Sequence, residues 1–108
     1  MTEEFETVRT PDVETACAWY ASVFEAETLA REENGARSMR IGTRRYRIIP
    51  GADSEPKHDA LVRDVDVCIA RGATRGGRIV ERAHSAPCGG REGRVMDPFG
   101  RLWRIRSA

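Results

Sequence analysis

The order strand, helix, strand, strand, strand runs twice along this 108-residue chain, once on each side of Pro50-Gly51-Ala52-Asp53-Ser54-Glu55-Pro56. A doubled unit constrains the fold more than any single motif, because each copy carries an apolar face that a neighbouring element must cover. In the first copy, Phe5 to Arg9 alternates as a strand ended by Thr10-Pro11, and Asp12 stands where a helix N-cap belongs. Val13, Ala16, Cys17, Tyr20, Val23 and Phe24 then recur at three- and four-residue steps, the stripe of an amphipathic helix. Three short alternating segments follow: Thr28 to Glu32, Ala36 to Ile41 and Arg44 to Ile49. Asn34-Gly35 predicts a hairpin between the first two, and Gly42-Thr43 predicts a turn between the next two.

The second copy begins with a strand from His58 to Val62 and an N-cap at Asp64. Val65, Cys68, Ile69 and Ala73 give its helix an apolar face, and Gly76-Gly77 closes it. Gly72 inside that helix weakens it by about 1 kcal/mol relative to Ala. Strands are expected at Arg78 to Arg82, Arg91 to Met96 and Arg101 to Arg106, with His84 to Gly90 as a loop. Before the last strand, Asp97-Pro98-Phe99-Gly100 has turn chemistry: Pro98 presets φ, Asp97 can bond the backbone ahead of it, and Gly100 tolerates positive φ. Beyond it Leu102, Arg104 and Arg106 point one way, and Trp103 and Ile105 the other.

This length suits one domain, read as module one at 1–50, a linker at 51–56 and module two at 57–108. No apolar run approaches the ~20 residues of a membrane helix. The acidic start Met1-Thr2-Glu3-Glu4-Phe5-Glu6 lacks the apolar core of a secretory signal, so a cytoplasmic location is expected. Of 18 basic residues one is a lysine, Lys57, yet the net charge is +1 and acids are mixed evenly among the arginines. Such a balance argues against a nucleic-acid footprint. Cys17, Cys68 and Cys88 show neither a disulfide framework nor zinc-site spacing, and the first two fall on the helical stripes as small apolar residues.

The element order, Trp19-Tyr20 in the first helix, Val23-Phe24-Glu25-Ala26-Glu27 after it, Val62-Arg63-Asp64-Val65-Asp66 at the second helix, and above all Gly89 to Trp103, together resemble one family. It is the glyoxalase/bleomycin-resistance/extradiol-dioxygenase superfamily, the vicinal oxygen chelate proteins, and in particular its small bacterial demethylubiquinone-methyltransferase-like branch. The resemblance implies an α+β fold of paired βαβββ modules, a cupped mixed sheet around a ligand or metal, and a homodimer. Glu25 stands where that family commonly has Gly, so the chain is expected to turn there without a left-handed residue. In the family's metalloenzymes a His or Gln on the first strand, a Glu on the fourth, a His on the fifth and a Glu on the last bind a divalent ion. Carried over, these positions fall on Phe5, near Arg47, on Lys57 beside His58, and on Arg104. Neither the family's metal nor any other cofactor is therefore expected.

Two residues are candidates for catalysis: Cys88, in a loop beside Arg91, and His58 at a strand end. Neither has an identifiable partner in the sequence; Ser85 fares no better as a nucleophile, and His84 is placed in solvent in its loop. The family's register puts Arg9, Arg45 or Arg47, Arg104 and Arg106 on the concave side with Phe5, Thr7, Met39 and Leu61, and Asp59 as counter-charge. Guanidinium groups over an apolar floor suit a carboxylate or phosphate, which they bind with two parallel hydrogen bonds. Three readings stay open: a homodimer binding a small organic anion without metal; a metal-dependent or Cys88- or His58-dependent lyase, isomerase or dioxygenase; and a structural dimer whose arginines pair internally and fill the cleft.

Overall fold

The first module consists of β1 (Phe5–Thr10), α1 (Val13–Phe24), β2 (Glu27–Arg31), β3 (Arg37–Ile41) and β4 (Arg44–Pro50). The second consists of β5 (Lys57–Leu61), α2 (Val65–Thr74), β6 (Arg78–Ser85), β7 (Arg91–Met96) and β8 (Leu102–Arg106). They are seen in a computed structural model that describes residues 5–52, 57–87 and 89–107. Each module forms a four-stranded mixed sheet, in the orders β1-β4-β3-β2 and β5-β8-β7-β6. Within each, the first strand lies parallel to the last and the other pairs are antiparallel. This is the paired βαβββ arrangement read from the sequence.

Both helices start at aspartate caps. Asp12 accepts from the Thr15 backbone N–H at 3.1 Å and from its hydroxyl at 2.7 Å, and Asp64 accepts from the Val67 N–H at 3.1 Å. At the far end of α1 the structure corrects the expectation for Glu25, which adopts the left-handed conformation (φ 58°, ψ 34°) although it is not glycine. Its backbone N–H and that of Ala26 both turn back to the Tyr20 carbonyl, satisfying an acceptor the helix end leaves open. A second correction concerns β6, which continues to Ser85, so that His84 and Ser85 belong to a strand and not to a loop. Two register shifts, at Ile79/Glu81 and Glu81/His84, let it stay paired with β7 as far as Arg91.

One core serves both modules. Trp103 of β8 is fully buried and its ring centroid lies 5.1 Å from Tyr20, 4.8 Å from Phe24 and 5.8 Å from Tyr46, all residues of the first module. Cys17 and Cys68 are buried in that core, as their helical spacing predicts. The turn before β8 is built as its residues suggest: Asp97 Oδ1 accepts from the N–H groups of Phe99 and Arg101, each at 2.9 Å, and Gly100 takes φ 89°. At the equivalent turn between β3 and β4, Gly42 (φ 60°) has no room for a side chain, since a Cβ there would lie 2.4 Å from the Leu61 carbonyl oxygen. None of the described helices is long and apolar enough to cross a membrane.

Candidate functional site

Strand parity and register place the sequence-predicted site residues. In the first sheet Phe5 lies opposite Arg45 and Thr7 opposite Arg47, with Arg9 two residues on. These five residues therefore share the face turned away from α1, while Val8, Tyr46 and Ile48 face the core. In the second sheet Asp59 pairs with Arg104 and Leu61 with Arg106, on the face opposite Ala60, Trp103 and Ile105. Met39 must be corrected. It pairs with Tyr46, is 1% exposed, and belongs to the core beneath α1, so it cannot floor the same face as Thr7 and Arg47.

His58 turns inward as well. Its ring tilts against Trp103 at 5.3 Å, and Nδ1 lies 4.0 Å from a carboxylate oxygen of Glu6 across the seam between the modules. A buried imidazole packed on an indole is placed to fill space, and the one-residue step from Lys57 has put it on the opposite side of the strand. Cys88 lies outside the described residues, as does the side chain of Lys57.

On the outer face Asp59 and Arg104 form a two-pronged pair. Arg104 donates from Nε to Asp59 Oδ1 at 3.0 Å and from Nη2 to Oδ2 at 2.9 Å, the two-pronged geometry that suits a guanidinium. Partial burial pushes the Asp59 carboxyl up, but the Arg104 hydrogen bonds and charge, helped by Arg106 and Arg44, outweigh it and hold the group below its usual range. Arg47 is engaged by Glu32 at 2.6 Å, and Arg44 reaches both Glu6 and Asp59 at 3.8 Å. Arg106 makes no ion pair among the described residues.

Two depressions open on this second-sheet face. A smaller one of about 190 Å³ has Asp59, Leu102, Arg94 and Arg104 in its wall, with His58 at its edge. A larger one of about 370 Å³ is bordered by Leu61, Arg104, Arg106 and Glu92. Arg104 belongs to both, and neither includes a residue of the first sheet. The constellation expected around one cleft is thus divided between two sheets of this chain. Arg94, which lies opposite Arg104 in the β7–β8 register, escaped sequence reasoning, whereas Leu102 shares the face of Arg104 as its parity predicts. The Tyr46 hydroxyl, which donates to the Asp59 backbone carbonyl and ties the two modules together, left no sequence signal at all. Burial pushes that phenol far above its usual range, with the Glu6 charge adding to the effect.

The residues at the family's metal-ligand positions do not fit a divalent ion. Phe5 has no donor atom, Arg47 and Arg104 are cations already paired with carboxylates, and His58 faces the core. Among the described residues no three His, Cys, Asp or Glu side chains are grouped to hold one.

Against solved structures, the chain is similar to TioX from Micromonospora sp. ML1, with 20% identity, 99% of this chain and 96% of that one covered, and a TM-score of 0.82. It is similar to a lactoylglutathione lyase from Agrobacterium tumefaciens (16% identity, coverage 100% and 95%, TM-score 0.73). It also resembles the fosfomycin resistance protein FosX from Listeria monocytogenes (15%, coverage 99% and 90%, 0.77). At these identities the likeness is one of fold. No curated protein matches the sequence. The sequence does match, over residues 5–105, the family described as the Glyoxalase/Bleomycin resistance protein/Dioxygenase superfamily. With four-fifths and more of the chain inside that match and both modules built as βαβββ units, the protein belongs to the Glyoxalase/Bleomycin resistance protein/Dioxygenase superfamily.

Proposed function

We propose that this protein is a cytoplasmic, homodimeric binder of a small organic anion, working without a metal ion, and that its ligand lies on the Leu61–Arg104–Arg106 face of the second sheet. The observation that carries the reading is Arg106. It is half-buried, makes no ion pair among the described residues, and borders the 370 Å³ depression beside Leu61. A carboxylate or phosphate bound to Arg106 is steered by Arg104, whose guanidinium Asp59 holds in place. Leu61 offers apolar contact to the rest of the molecule. The homodimer is supported by the division of the cationic residues between two sheets: a second copy laying its Phe5–Thr7–Arg9 face over Arg104 and Arg106 would enclose a cleft that one chain leaves shallow.

Calorimetric titration with aromatic carboxylates and their neutral amides, combined with mass measurement by light scattering, tests this. The expected result is a dimer that prefers the acid, with about a tenfold loss of affinity in Arg106→Met, the value of one charge-assisted hydrogen bond. A monomer indifferent to ligand charge, or a divalent ion copurifying at one per chain, would sink the proposal.

A further inference from the structure

A further cavity, about 530 Å³, lies at the seam between the modules, lined by residues of both. Its wall includes Glu25, Glu27 and Arg40 of the first module and Arg63, Asp64 and Arg71 of the second. We infer that this seam cavity is a second small-molecule site, and that it takes a zwitterion with an apolar side chain, such as an aliphatic α-amino acid.

Charge pairing within the wall points to that class. Three arginines and three carboxylates line the cavity. Arg40 is paired with Glu27, and Arg71 with Glu25 at 3.4 Å, so four of the six charges compensate one another and hold the wall in place. What is left is one neighbouring pair of opposite sign. Arg63 makes no ion pair among the described residues, and Asp64 uses Oδ1 to cap α2 through the Val67 N–H while Oδ2 carries no hydrogen bond there. A simple anion attracted by Arg63 would meet the Asp64 charge beside it. A molecule carrying a carboxylate and an ammonium a few bonds apart satisfies both.

The apolar requirement comes from Val67, which is 47% exposed on the first turn of α2 and lines the cavity with Val62. The size lies in the range of ordinary ligand pockets. The walls are preformed, because the Arg71 Nη2–Val23 carbonyl hydrogen bond (3.0 Å) and the close approach of Gly42 to Leu61 pin one module to the other around the cavity. Occupancy therefore bridges the two modules and stabilises their packing.

The test uses the whole chain, observed by amide NMR during titration with L-leucine, with 4-methylpentanoate, which lacks the ammonium, and with leucinamide, which lacks the carboxylate. Leucine is expected to shift the signals of Arg63, Asp64 and Val67, and each truncated probe to bind about tenfold more weakly. Arg63→Gln and Asp64→Asn should each weaken leucine binding by about the same factor. The asparagine keeps an Oδ1 acceptor for the helix cap, so a loss in that variant reports charge and not unfolding. Arg78→Gln, on the far edge strand, should leave the affinity unchanged. Equal binding of all three probes, no binding of leucine, or shifts centred on Arg104 and Arg106 would overturn the inference, the last by placing the ligand at the sheet face instead.

Discussion

Trp19 and Arg71 hold equivalent places in the two helices, and each donates to a carbonyl at the end of the other's helix. Trp19 Nε1 bonds the Arg75 carbonyl at 2.9 Å, and Arg71 Nη2 bonds the Val23 carbonyl at 3.0 Å. Arg71 follows the Asp64 cap by seven residues (71 − 64) as Trp19 follows the Asp12 cap (19 − 12), so chemically unlike side chains perform one task on both sides of a pseudo-twofold arrangement. Open carbonyls at helix ends need donors, and here each module supplies the other's. Trp19→Phe keeps most of the packing and removes one donor, and Arg71→Met does the same for its mate. Each substitution should cost about 1 kcal/mol in urea unfolding. No loss in either would mean that water satisfies these carbonyls equally well.

Asp97 is the polar centre of the core. Besides the two backbone bonds of its turn, it accepts at Oδ2 from Trp103 Nε1 (3.0 Å) and from the Tyr20 hydroxyl (3.2 Å), and it is 3% exposed. All four partners are donors, so an amide in its place must set an NH₂ group against some of them. Asp97→Asn should destabilise by about 2–3 kcal/mol in denaturant titration; a change below about half of that would show that the turn, and not the carboxylate, holds β8 in place.

Glu25 offers a gain. A left-handed non-glycine residue carries a steric cost of roughly 1–2 kcal/mol, partly offset on mutation by the greater freedom of glycine in the unfolded chain. Glu25→Gly also removes an exposed ion pair with Arg71, which contributes little. The variant should therefore equal or exceed the parent's melting temperature. A clear drop would assign Glu25 a role beyond its backbone.

His84 and Glu81 form an exposed pair on β6, with the other ring nitrogen against the Ser85 carbonyl at 3.1 Å. Both ring nitrogens thus face acceptors, which favours the doubly protonated ring. The Glu81 hydrogen bond and then the Ser85 carbonyl raise the His84 pKa above its ordinary value. The sign follows: the pair's contribution is complete below about 6.5, the unfolded value, and fades as pH rises through the higher folded one. Glu81 is shifted the other way, chiefly by its bond to His84, so its contribution fades as pH falls through its lowered value. Proton NMR of the His84 ring should show a midpoint above about 6.5 that falls toward it in Glu81→Gln. An unchanged midpoint would dismiss the pair.

The helix thiols should be inert. Burial pushes Cys68 up to about 12 and raises Cys17 as well, and thiolate is the reactive form. In a Cys88→Ser variant, a disulfide reagent should find no thiol at neutral pH until denaturant is added, after which both should titrate. Rapid labelling of the native protein would mean that α1 or α2 opens locally.

Features that depend on near neighbours in the chain could be read without coordinates. The aspartate caps, the Asp97–Gly100 turn, the helical stripes with Cys17 and Cys68, and the parity of Leu102 to Arg106 each follow from residues a few positions apart, where steric and hydrogen-bonding preferences act directly. The doubled βαβββ order followed from stringing these together.

Features that depend on which strand lies beside which could not. Alternation says that Met39 faces opposite to Ser38 and Arg40, but the pairing of Met39 with Tyr46 is what sends it to the core and away from Arg47. The same kind of choice turns His58 onto Trp103 and leaves Asp59 to meet Arg104. Glu25 takes the left-handed backbone to return its N–H to the Tyr20 carbonyl, and β6 reaches Ser85 through two register shifts in its pairing with β7. The seam cavity and the exchanged Trp19 and Arg71 bonds belong to the same class. They join groups some fifty residues apart, at distances set by how the two modules pack, and no local rule of the chain carries that information.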